Sequence, residues 1–417
     1  MTERNPEYST EPVGQDPYQL PLDTLDVSNP FLFAADAHWP WFKRLRDEDP
    51  VHFCPEAETG PYWSVTRYEE IMHVDTHHDI FSSEPIIVIR DPIEEFPVEM
   101  FIAMDPPRHD EQRAAVQPVV APANLKNFEP TIRERTIDVL EHLPVGEPID
   151  WVEHVSVELT TRMLATLFDF PYEDRSKLTY WSDVSTAIAG MGLVDSEEHR
   201  REILLGCLEY FTELWNQRVN APPANDLISM LSHAEATKNM GPLEYMGNLM
   251  LLIVGGNDTT RNTMTASVLA LHQNPAEFGK LVANPELIPS MVAETIRWQT
   301  PLAHMRRTTK VDTELGGKTI RAGEKVVMWY VSGNRDERAF ERPDDYIIDR
   351  PDVRKHLSFG FGIHRCMGNR LAELQLRVLW EEILQRFERI EVVGEPERVV
   401  SNFVKGYTSL PVVVHPR

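Results

Sequence analysis

The residues that most clearly predict chemistry form the segment FGFGIHRCMG at positions 359–368, which surrounds one cysteine with three glycines. Glycine permits positive φ angles and close approach of the backbone, so Gly360, Gly362 and Gly368 could let a flat prosthetic group lie against the chain. An amphipathic helical pattern follows, and the start of a helix stabilises a negative sulfur. Cys366 could therefore be the electron-rich thiolate ligand of a haem iron.

This segment could also be an ordinary glycine turn around a buried free cysteine, or a nucleotide-binding loop. The dinucleotide fingerprint GxGxxG would need a glycine where Arg365 stands, and the chain has no GxxxxGK[ST] loop. Covalent haem attachment would need CxxCH, which is absent from the sequence. The spacing therefore favours a non-covalently bound group over a nucleotide.

A second unusual segment, LLIVGGNDTTRN at 251–262, places two glycines inside an apolar helical pattern. Each glycine costs about 1 kcal/mol relative to alanine in a helix interior. Gly255 and Gly256 therefore indicate a groove or kink where a ligand approaches the backbone, bordered by Asp258 and Thr259. The alternative is a helix end followed by a new helix start, since glycine and Asp or Thr are common at those positions.

Several charged pairs have helical spacing. Glu294 and Arg297 lie three residues apart on a helix that Pro301 ends, and the alternative is a surface ion pair of little energetic value. His109 and Arg113 lie four residues apart, so both could face one carboxylate. Each of these cations, taken alone, could equally be a solvated surface residue.

The segment MHVDTHHD at 72–79 mimics a metal site, because His73 and His77 are four residues apart with Asp75 and Asp79 beside them. No HExxH motif or remote acidic ligand motif accompanies these histidines. The pattern is interpreted as the polar end of a helix.

Composition limits the functional class. The 417 residues are 42% hydrophobic and 26% charged with a net charge of −25, which disfavours nucleic acid or an anionic membrane as partner. Three cysteines make no disulfide framework, and Cys54 and Cys207 receive no role. The N-terminus lacks a leader pattern, and the most apolar stretch, 249–256, is too short for a transmembrane segment. A soluble cytoplasmic protein is expected.

The elements that must position these residues are mainly helical. Helical spacing dominates from about 125 to 300, residues 1–30 form a proline-rich polar arm predicted to be poorly ordered, and one domain fills 31–417. Three short stretches have a strand-like composition. They are 85–90, 325–331 and 410–414.

Together, the cysteine segment, the glycine-containing helix and the Glu-x-x-Arg spacing resemble the cytochrome P450 superfamily. In its haem-binding loop Phe, two glycines, a basic residue, the ligand cysteine and a further glycine occur at this spacing. The resemblance implies a single-domain cytochrome P450 fold, mainly α with small β-sheets, in which 31–417 is a haem-thiolate monooxygenase domain. It also implies haem b held by Cys366 as proximal ligand, and O2 as co-substrate.

The resemblance further implies roles for individual residues. Asp258 and Thr259 match the family's catalytic acid–alcohol pair, which delivers protons during oxygen activation. Glu294 and Arg297 match its structural cluster, which Arg350 completes. Arg307 matches a position that binds a haem propionate, although its neighbour Arg306 leaves a one-residue ambiguity. The expected cofactor-binding set is His109, Arg113, Arg307, His364, Gly255, Phe359 and Gly360.

Longer strings, among them FIAMDPPRHDEQR, RWQTPLAHMRRT and SNFVKGY, resemble the bacterial alkane terminal hydroxylases of this superfamily. This implies an alkane 1-monooxygenase acting on the terminal methyl of medium-chain alkanes or fatty acids. The alternatives are another apolar substrate such as a terpene, or a non-catalytic haem sensor. The substrate pocket is expected to be apolar. Its predicted residues are Ile86, Val88, Phe101, Leu252, Val254, Leu302, Phe403 and Val404.

The implied electron source is NADH, used only indirectly through a flavin-dependent NADH-ferredoxin reductase and a [2Fe-2S] ferredoxin. Residues 350–377 hold six basic side chains against two acidic ones, Asp352 and Glu373, in an otherwise acidic chain. An acidic ferredoxin is therefore expected to dock around Cys366. The six are Arg350, Arg354, Lys355, Arg365, Arg370 and Arg377.

Overall fold

The computed structural model describes residues 8–92 and 96–417, and α-helices dominate it. The helical spacing seen between 125 and 300 corresponds to a nearly continuous series of helices. A mainly α protein with small β-sheets is thus confirmed. The helices are α1 (Pro30–Ala34), α2 (Trp39–Glu48), α3 (Tyr68–Thr76), α4 (Arg108–Val116), α5 (Pro122–Glu141), α6 (Glu158–Phe168), α7 (Ser176–Thr186), α8 (Glu197–Val219), α9 (Leu227–His233), α10 (Pro242–Gln273), α11 (Pro275–Ala283), α12 (Ile288–Gln299), α13 (Tyr330–Gly333) and α14 (Asn369–Arg386).

The strands are short and form separate small sheets. The largest has the order β1-β2-β8-β5-β3, with β2 and β8 parallel and the other pairs antiparallel, and a three-stranded sheet has the order β4-β12-β9. The strands are β1 (Val51–Cys54), β2 (Tyr62–Val65), β3 (Phe81–Ser82), β4 (Pro148–Asp150), β5 (Met305–Thr309), β6 (Thr313–Leu315), β7 (Lys318–Ile320), β8 (Lys325–Met328), β9 (Phe387–Val392), β10 (Glu397–Arg398), β11 (Tyr407–Ser409) and β12 (Pro411–Pro416).

Two of the three predicted strand regions contain strands, β8 and β12, but the prediction for 85–90 is wrong. That stretch makes only isolated bonds to its neighbours. The Arg306 N–H donates to the Ile87 carbonyl at 2.8 Å, and the Ile89 N–H donates to His304 Nε2 at 3.2 Å. Pro85 has no N–H to offer to a ladder. The consecutive apolar residues of this stretch form an irregular segment instead of a strand.

Helix α10 runs through the middle of the protein, and its side chains enter the two largest clusters of buried apolar residues. It continues unbroken through Gly255 and Gly256, so the alternative of a helix end and a new start is wrong. A Cβ at Gly256 would lie 2.7 Å from Leu164 Cδ2, which explains why glycine is needed where α10 crosses α6. In the described part of the chain, no helix is both long and apolar enough to cross a bilayer.

The segment before α1 packs against the body. Leu25 and Val27 are buried in one apolar cluster with residues of α1, α2 and β8. The side-chain amide of Asn402 donates to the Ser28 carbonyl at 2.6 Å. Packing therefore begins before the boundary drawn at residue 30 from the sequence, because two isolated apolar residues in a polar stretch give no periodic signal.

Candidate active site

Cys366 lies in a tight loop directly before α14. Gly360 and Gly362 have φ angles of +62° and +65°, and a Cβ at Gly362 would lie 2.4 Å from the Asp75 carbonyl oxygen. The Cys366 N–H donates to the Phe359 carbonyl at 2.8 Å, which closes the loop. Gly368 differs, because its φ is −86° and a Cβ there would contact no described atom within 4 Å. Two of the three glycines are thus required by the backbone itself.

The groups around the Cys366 sulfur shift the pKa of its thiol in opposite directions. Cys366 is exposed to the cavity, but the protein that displaces water around the sulfur raises the pKa of its thiol, while the Gly368 and Asn369 backbone groups and the Arg113 and Arg365 side chains lower it. The net shift is upward in the protein alone. A metal cation at the sulfur would reverse the balance, because coordination deprotonates a thiol.

Cys366 faces a cavity of about 760 Å³ that α10 borders. Its walls are mainly apolar and include all of the predicted pocket residues except Val404. Val404 is buried and forms a β-bridge with Leu302, but it does not line the cavity. The predicted residues that line the cavity are Ile86, Val88, Phe101, Leu252, Val254, Leu302 and Phe403.

All seven residues predicted to bind the cofactor line the same cavity. The rings of His109 and His364 lie 4.2 Å apart between centroids. His109 Nε2 and both ring nitrogens of His364 are buried and have no hydrogen-bond partner among the described residues. Buried polar atoms without partners are rare in folded proteins, so these nitrogens indicate that a polar group belongs beside them.

The structure distinguishes Arg307 from Arg306, the two candidates for a contact with a haem propionate. Arg307 lines the cavity, whereas Arg306 binds the Arg90 carbonyl and the Asp91 carboxylate, both through Nη1, at 2.9 and 2.8 Å. Adjacent residues of β5 point to opposite faces, which explains the division. The orphaned histidine nitrogens, the cavity-facing Arg307 and the sulfur fit a flat group with acidic substituents, as haem is.

Asp75 is a site residue that sequence reasoning missed. Its buried carboxylate accepts hydrogen bonds from Arg307 at 2.9 Å, from the Tyr330 hydroxyl at 3.1 Å and from the Phe361 N–H at 2.6 Å. Burial raises the pKa of Asp75, and Arg307 opposes that shift. Asp75 therefore joins α3 to β5 and to the cysteine loop. The four-residue His–Asp pattern gave no sign of this, and among the described residues no cluster with metal-binding geometry occurs.

Glu294, Arg297 and Arg350 form one buried cluster and not a surface ion pair. Arg297 contacts the Glu294 carboxylate through Nε at 2.7 Å and Nη2 at 2.8 Å, and Arg350 Nε lies 3.1 Å from both oxygens. Arg297 Nη1 also donates to the Asn334 carbonyl at 2.8 Å. The cluster thus ties α12 to the chain that leads into the cysteine loop.

The structure separates Asp258 from Thr259. Thr259 lines the cavity, and its hydroxyl donates to the Gly255 carbonyl at 3.1 Å. Asp258 is fully buried and faces α7, where it accepts from Ser182 at 3.1 Å and from Arg261 at 3.0 Å. Burial raises the pKa of Asp258 to about 6, with Arg261 acting against the rise. The expectation that both residues border the groove therefore holds only for Thr259.

The sequence model of the family described as "Cytochrome P450" matches residues 58–405. The chain belongs to the cytochrome P450 family. The solved structure of cytochrome P450-153 from Novosphingobium aromaticivorans superimposes with a TM-score of 0.88 at 48% identity, covering 94% of this chain and 99% of that one. The predicted single-domain fold is thereby confirmed.

Curated relatives agree on the enzyme class. This cytochrome P450 is 35% identical to linalool 8-monooxygenase of Pseudomonas putida, over 95% of this chain and 100% of the relative. It is 30% identical to a methyl-branched lipid omega-hydroxylase of Mycobacterium tuberculosis, over 98% and 99%. The protein is therefore a monooxygenase and not a haem sensor, and family membership implies haem, O2 and redox partners.

The basic residues near Cys366 are only partly available to a partner of this cytochrome P450. Arg350 belongs to the Glu294 cluster, Arg354 pairs with Glu373 at 2.9 Å, and Arg377 pairs with Glu129 and Glu381 at 2.9 and 2.8 Å. The sequence count missed the glutamates contributed from outside 350–377. Of the six predicted docking residues, Lys355, Arg365 and Arg370 are exposed and have no ion pair to any described residue. These three residues are called the basic face below.

Proposed function

We propose that this cytochrome P450 is an alkane 1-monooxygenase that hydroxylates the terminal methyl of medium-chain alkanes or fatty acids. One oxygen atom of O2 enters the C–H bond to give a primary alcohol, and the other leaves as water. The reaction consumes two protons and two electrons. The electrons come from NADH through a flavin-dependent reductase and a [2Fe-2S] ferredoxin.

The apolar cavity is the observation that carries this proposal. Its volume of about 760 Å³ must accommodate the haem as well as the substrate, so only part of it remains for the substrate. A slender chain fits such a space better than a bulky polycycle, and the mainly apolar walls favour a substrate with few polar groups.

In this proposal the Cys366 sulfur would bind the iron of haem b, and His109, Arg113, Arg307 and His364 would hold its acidic groups. When bound, the haem supplies the redox chemistry that activates O2. The chain's own residues orient the reactants: Asp75 fixes Arg307 by an ion pair with a 2.9 Å contact. Thr259 lies on the cavity wall and acts on protons there.

Terminal selectivity needs a physical restraint, because a terminal C–H bond is stronger than those of the neighbouring methylenes. We assign that restraint to Val254, Leu302 and Phe403, which line the cavity together with Gly255. Side chains in these positions admit the chain end and exclude the methylenes. A misplacement of about 1 Å costs on the order of 100-fold in rate, so small changes of shape decide the product.

A terpene is the second candidate substrate. The 35% identity to linalool 8-monooxygenase supports it, whereas the name of the omega-hydroxylase relative supports reaction at a chain end. Both proposals rest on the apolar cavity, and they differ in the shape and the polar group of the substrate.

The test supplies the haem-loaded enzyme with ferredoxin, reductase and NADH, and offers octane, a medium-chain fatty acid and linalool separately. We expect primary alcohols or ω-hydroxy acids as the main products. Mainly internal alcohols, or turnover of linalool alone, would overturn the proposal.

Two neighbouring variants sharpen this test. Phe403→Ala enlarges the cavity wall and should shift octane products toward internal alcohols. Val404→Ala removes a buried side chain of the adjacent residue outside the cavity. It should leave the ratio of products unchanged, so an equal shift in both variants would count against the assigned restraint.

A further inference from the structure

Asp258 does not face the cavity in which protons are needed. Its carboxylate lies between α10 and α7, while the Thr259 hydroxyl donates to the Gly255 carbonyl. Among the described residues, no hydrogen bond joins Thr259 to Asp258. A side chain that contacts both Asp258 and the cavity would connect the buried acid to the reaction space.

Helix α7 provides such a group. The hydroxyls of Ser182 and Thr186 lie 3.1 and 3.5 Å from the two oxygens of Asp258. Thr186 also lines the cavity, whereas Ser182 is fully buried beneath it. In the part of the chain that the structure describes, Thr186 is the side chain that both contacts Asp258 and borders the cavity.

We propose that Thr186 relays protons from Asp258 into the cavity. This role is additional to that of Thr259, which acts on protons at the cavity wall. The Thr186 hydroxyl is also within 3.2 Å of the Ser182 carbonyl, so it can exchange between two acceptors by rotation. This inference rests on the monooxygenase reaction and is independent of which apolar substrate is used.

Asp258 can be resupplied with protons from the solvent side of α7. Arg261 bridges the carboxylates of Asp258 and Asp183, at 3.0 and 2.8 Å, and the Asp183 side chain is 36% exposed. These are the charged groups that face Asp258. On the α6 side the neighbour is the uncharged Asn257, whose side-chain amide donates to the Asp258 carboxylate at 3.0 Å and accepts from the Thr160 hydroxyl at 2.9 Å.

Each proton transfer from Asp258 through Thr186 leaves both residues in their starting state. Protonated Asp258 gives its proton to the Thr186 oxygen while that hydroxyl releases its own proton into the cavity. The carboxylate then regains a proton from solvent, and two such transfers meet the demand of one O2. The pKa of Asp258, raised by burial to about 6, keeps both of its protonation states populated near neutral pH.

The main experiment compares Thr186→Val with Thr179→Val. Thr179 lies on the same helix and is buried against Thr161 at 2.5 Å, but it contacts neither Asp258 nor the cavity. In Thr186→Val, total hydroxylated product per NADH should fall by about 10-fold, less than the factor of about 100 that a positioned proton donor supplies, because cavity water carries part of the flow. Peroxide should rise correspondingly, and the solvent isotope effect should increase.

Thr186→Ser restores the hydroxyl and should recover coupling, whereas Thr186→Ala should behave as Thr186→Val does. Unchanged coupling and isotope effect in Thr186→Val, or an equal loss in Thr179→Val, would overturn the proposal. Hydroxylated product is summed over all positions of the substrate. A substrate that is neither an alkane nor a fatty acid would therefore refute the proposed function without affecting this test.

A second readout needs no turnover. The infrared band of the protonated Asp258 carboxyl, identified by its loss in Asp258→Asn, is titrated against pH in the resting protein. Removing the Thr186 hydroxyl removes a hydrogen bond that lowers the pKa of Asp258. The midpoint should therefore move to higher pH in Thr186→Val and stay in place in Thr179→Val. A midpoint that is the same in all three proteins would contradict the contact.

Discussion

The two sides of the cavity are built differently. Around Cys366, charged side chains and backbone groups are tied to one another, as the Glu294 cluster and the bonds to Asp75 show. Across the cavity, the pocket walls are mainly apolar side chains held by packing. Substitutions on the cysteine side should therefore cost folding or haem binding, whereas those on the opposite side should change the course of the reaction.

The largest effect is expected for Cys366→Ser. Without a thiolate, the red-shifted ferrous carbonyl band of a thiolate-ligated haem and all hydroxylation should disappear. Absorption spectra of the reduced carbonyl complex provide the measurement. Cys54→Ser and Cys207→Ser are the controls, since both thiols are buried elsewhere and burial raises their pKa. Persistence of the band in Cys366→Ser would refute the ligand assignment.

Glu294→Gln should have the next largest effect. It leaves Arg297 and Arg350 buried without their carboxylate, and breaking a buried charge cluster costs about 3–5 kcal/mol in the free energy of unfolding. Urea unfolding of the haem-loaded protein measures this loss. The control is Lys43→Gln at the exposed Lys43–Asp47 pair, where the change should stay within about 1 kcal/mol. Similar losses in both variants would remove the contrast between the two kinds of pair.

On the opposite side, Thr259→Ala should spare folding and alter the reaction. Haem and substrate binding should persist, because the Thr259 hydroxyl bonds only to the Gly255 carbonyl of its own helix among the described residues. Product per NADH should fall by about an order of magnitude as peroxide takes its place. Product and peroxide assays at matched NADH consumption decide the outcome, and unchanged coupling would remove Thr259 from the mechanism.

The smallest effect is expected at the basic face. Arg365→Glu and Arg370→Glu should raise the ferredoxin concentration that gives half-maximal rate, and the difference should shrink as salt screens the charges. Arg321→Glu, in the exposed turn before β8, is the control of equal charge change. If all three variants respond alike, net charge and not a docking site explains the behaviour.

The cysteine side was largely predictable because its residues follow spacing rules within short segments. Gly360, Gly362 and Cys366 share one loop, and Glu294 and Arg297 share one helix face. Asp75 could not be found in this way, since its partner Phe361 lies 286 residues further along the chain. Nothing in the local pattern around Asp75 encodes that pairing.

The opposite side was predicted in composition but not in orientation. Phe403 and Val404 are both apolar neighbours in the sequence, but only Phe403 lines the cavity. Likewise, the direction of Asp258 depends on where α7 lies relative to α10. Such choices are made by tertiary packing, which the spacing of residues along one helix does not specify.

The segment before α1, which packs against the rest of the protein, limits where the chain can be shortened or fused. Asn402, which holds the Ser28 carbonyl, also accepts a bond from His304 at 2.8 Å through its own carbonyl, and the next residue is Phe403 of the cavity wall. The first part of the polypeptide thus braces the region that shapes the substrate space. A gene shortened to begin at residue 30, or a fusion joined there, would alter the enzyme's product profile even where expression and haem content look normal.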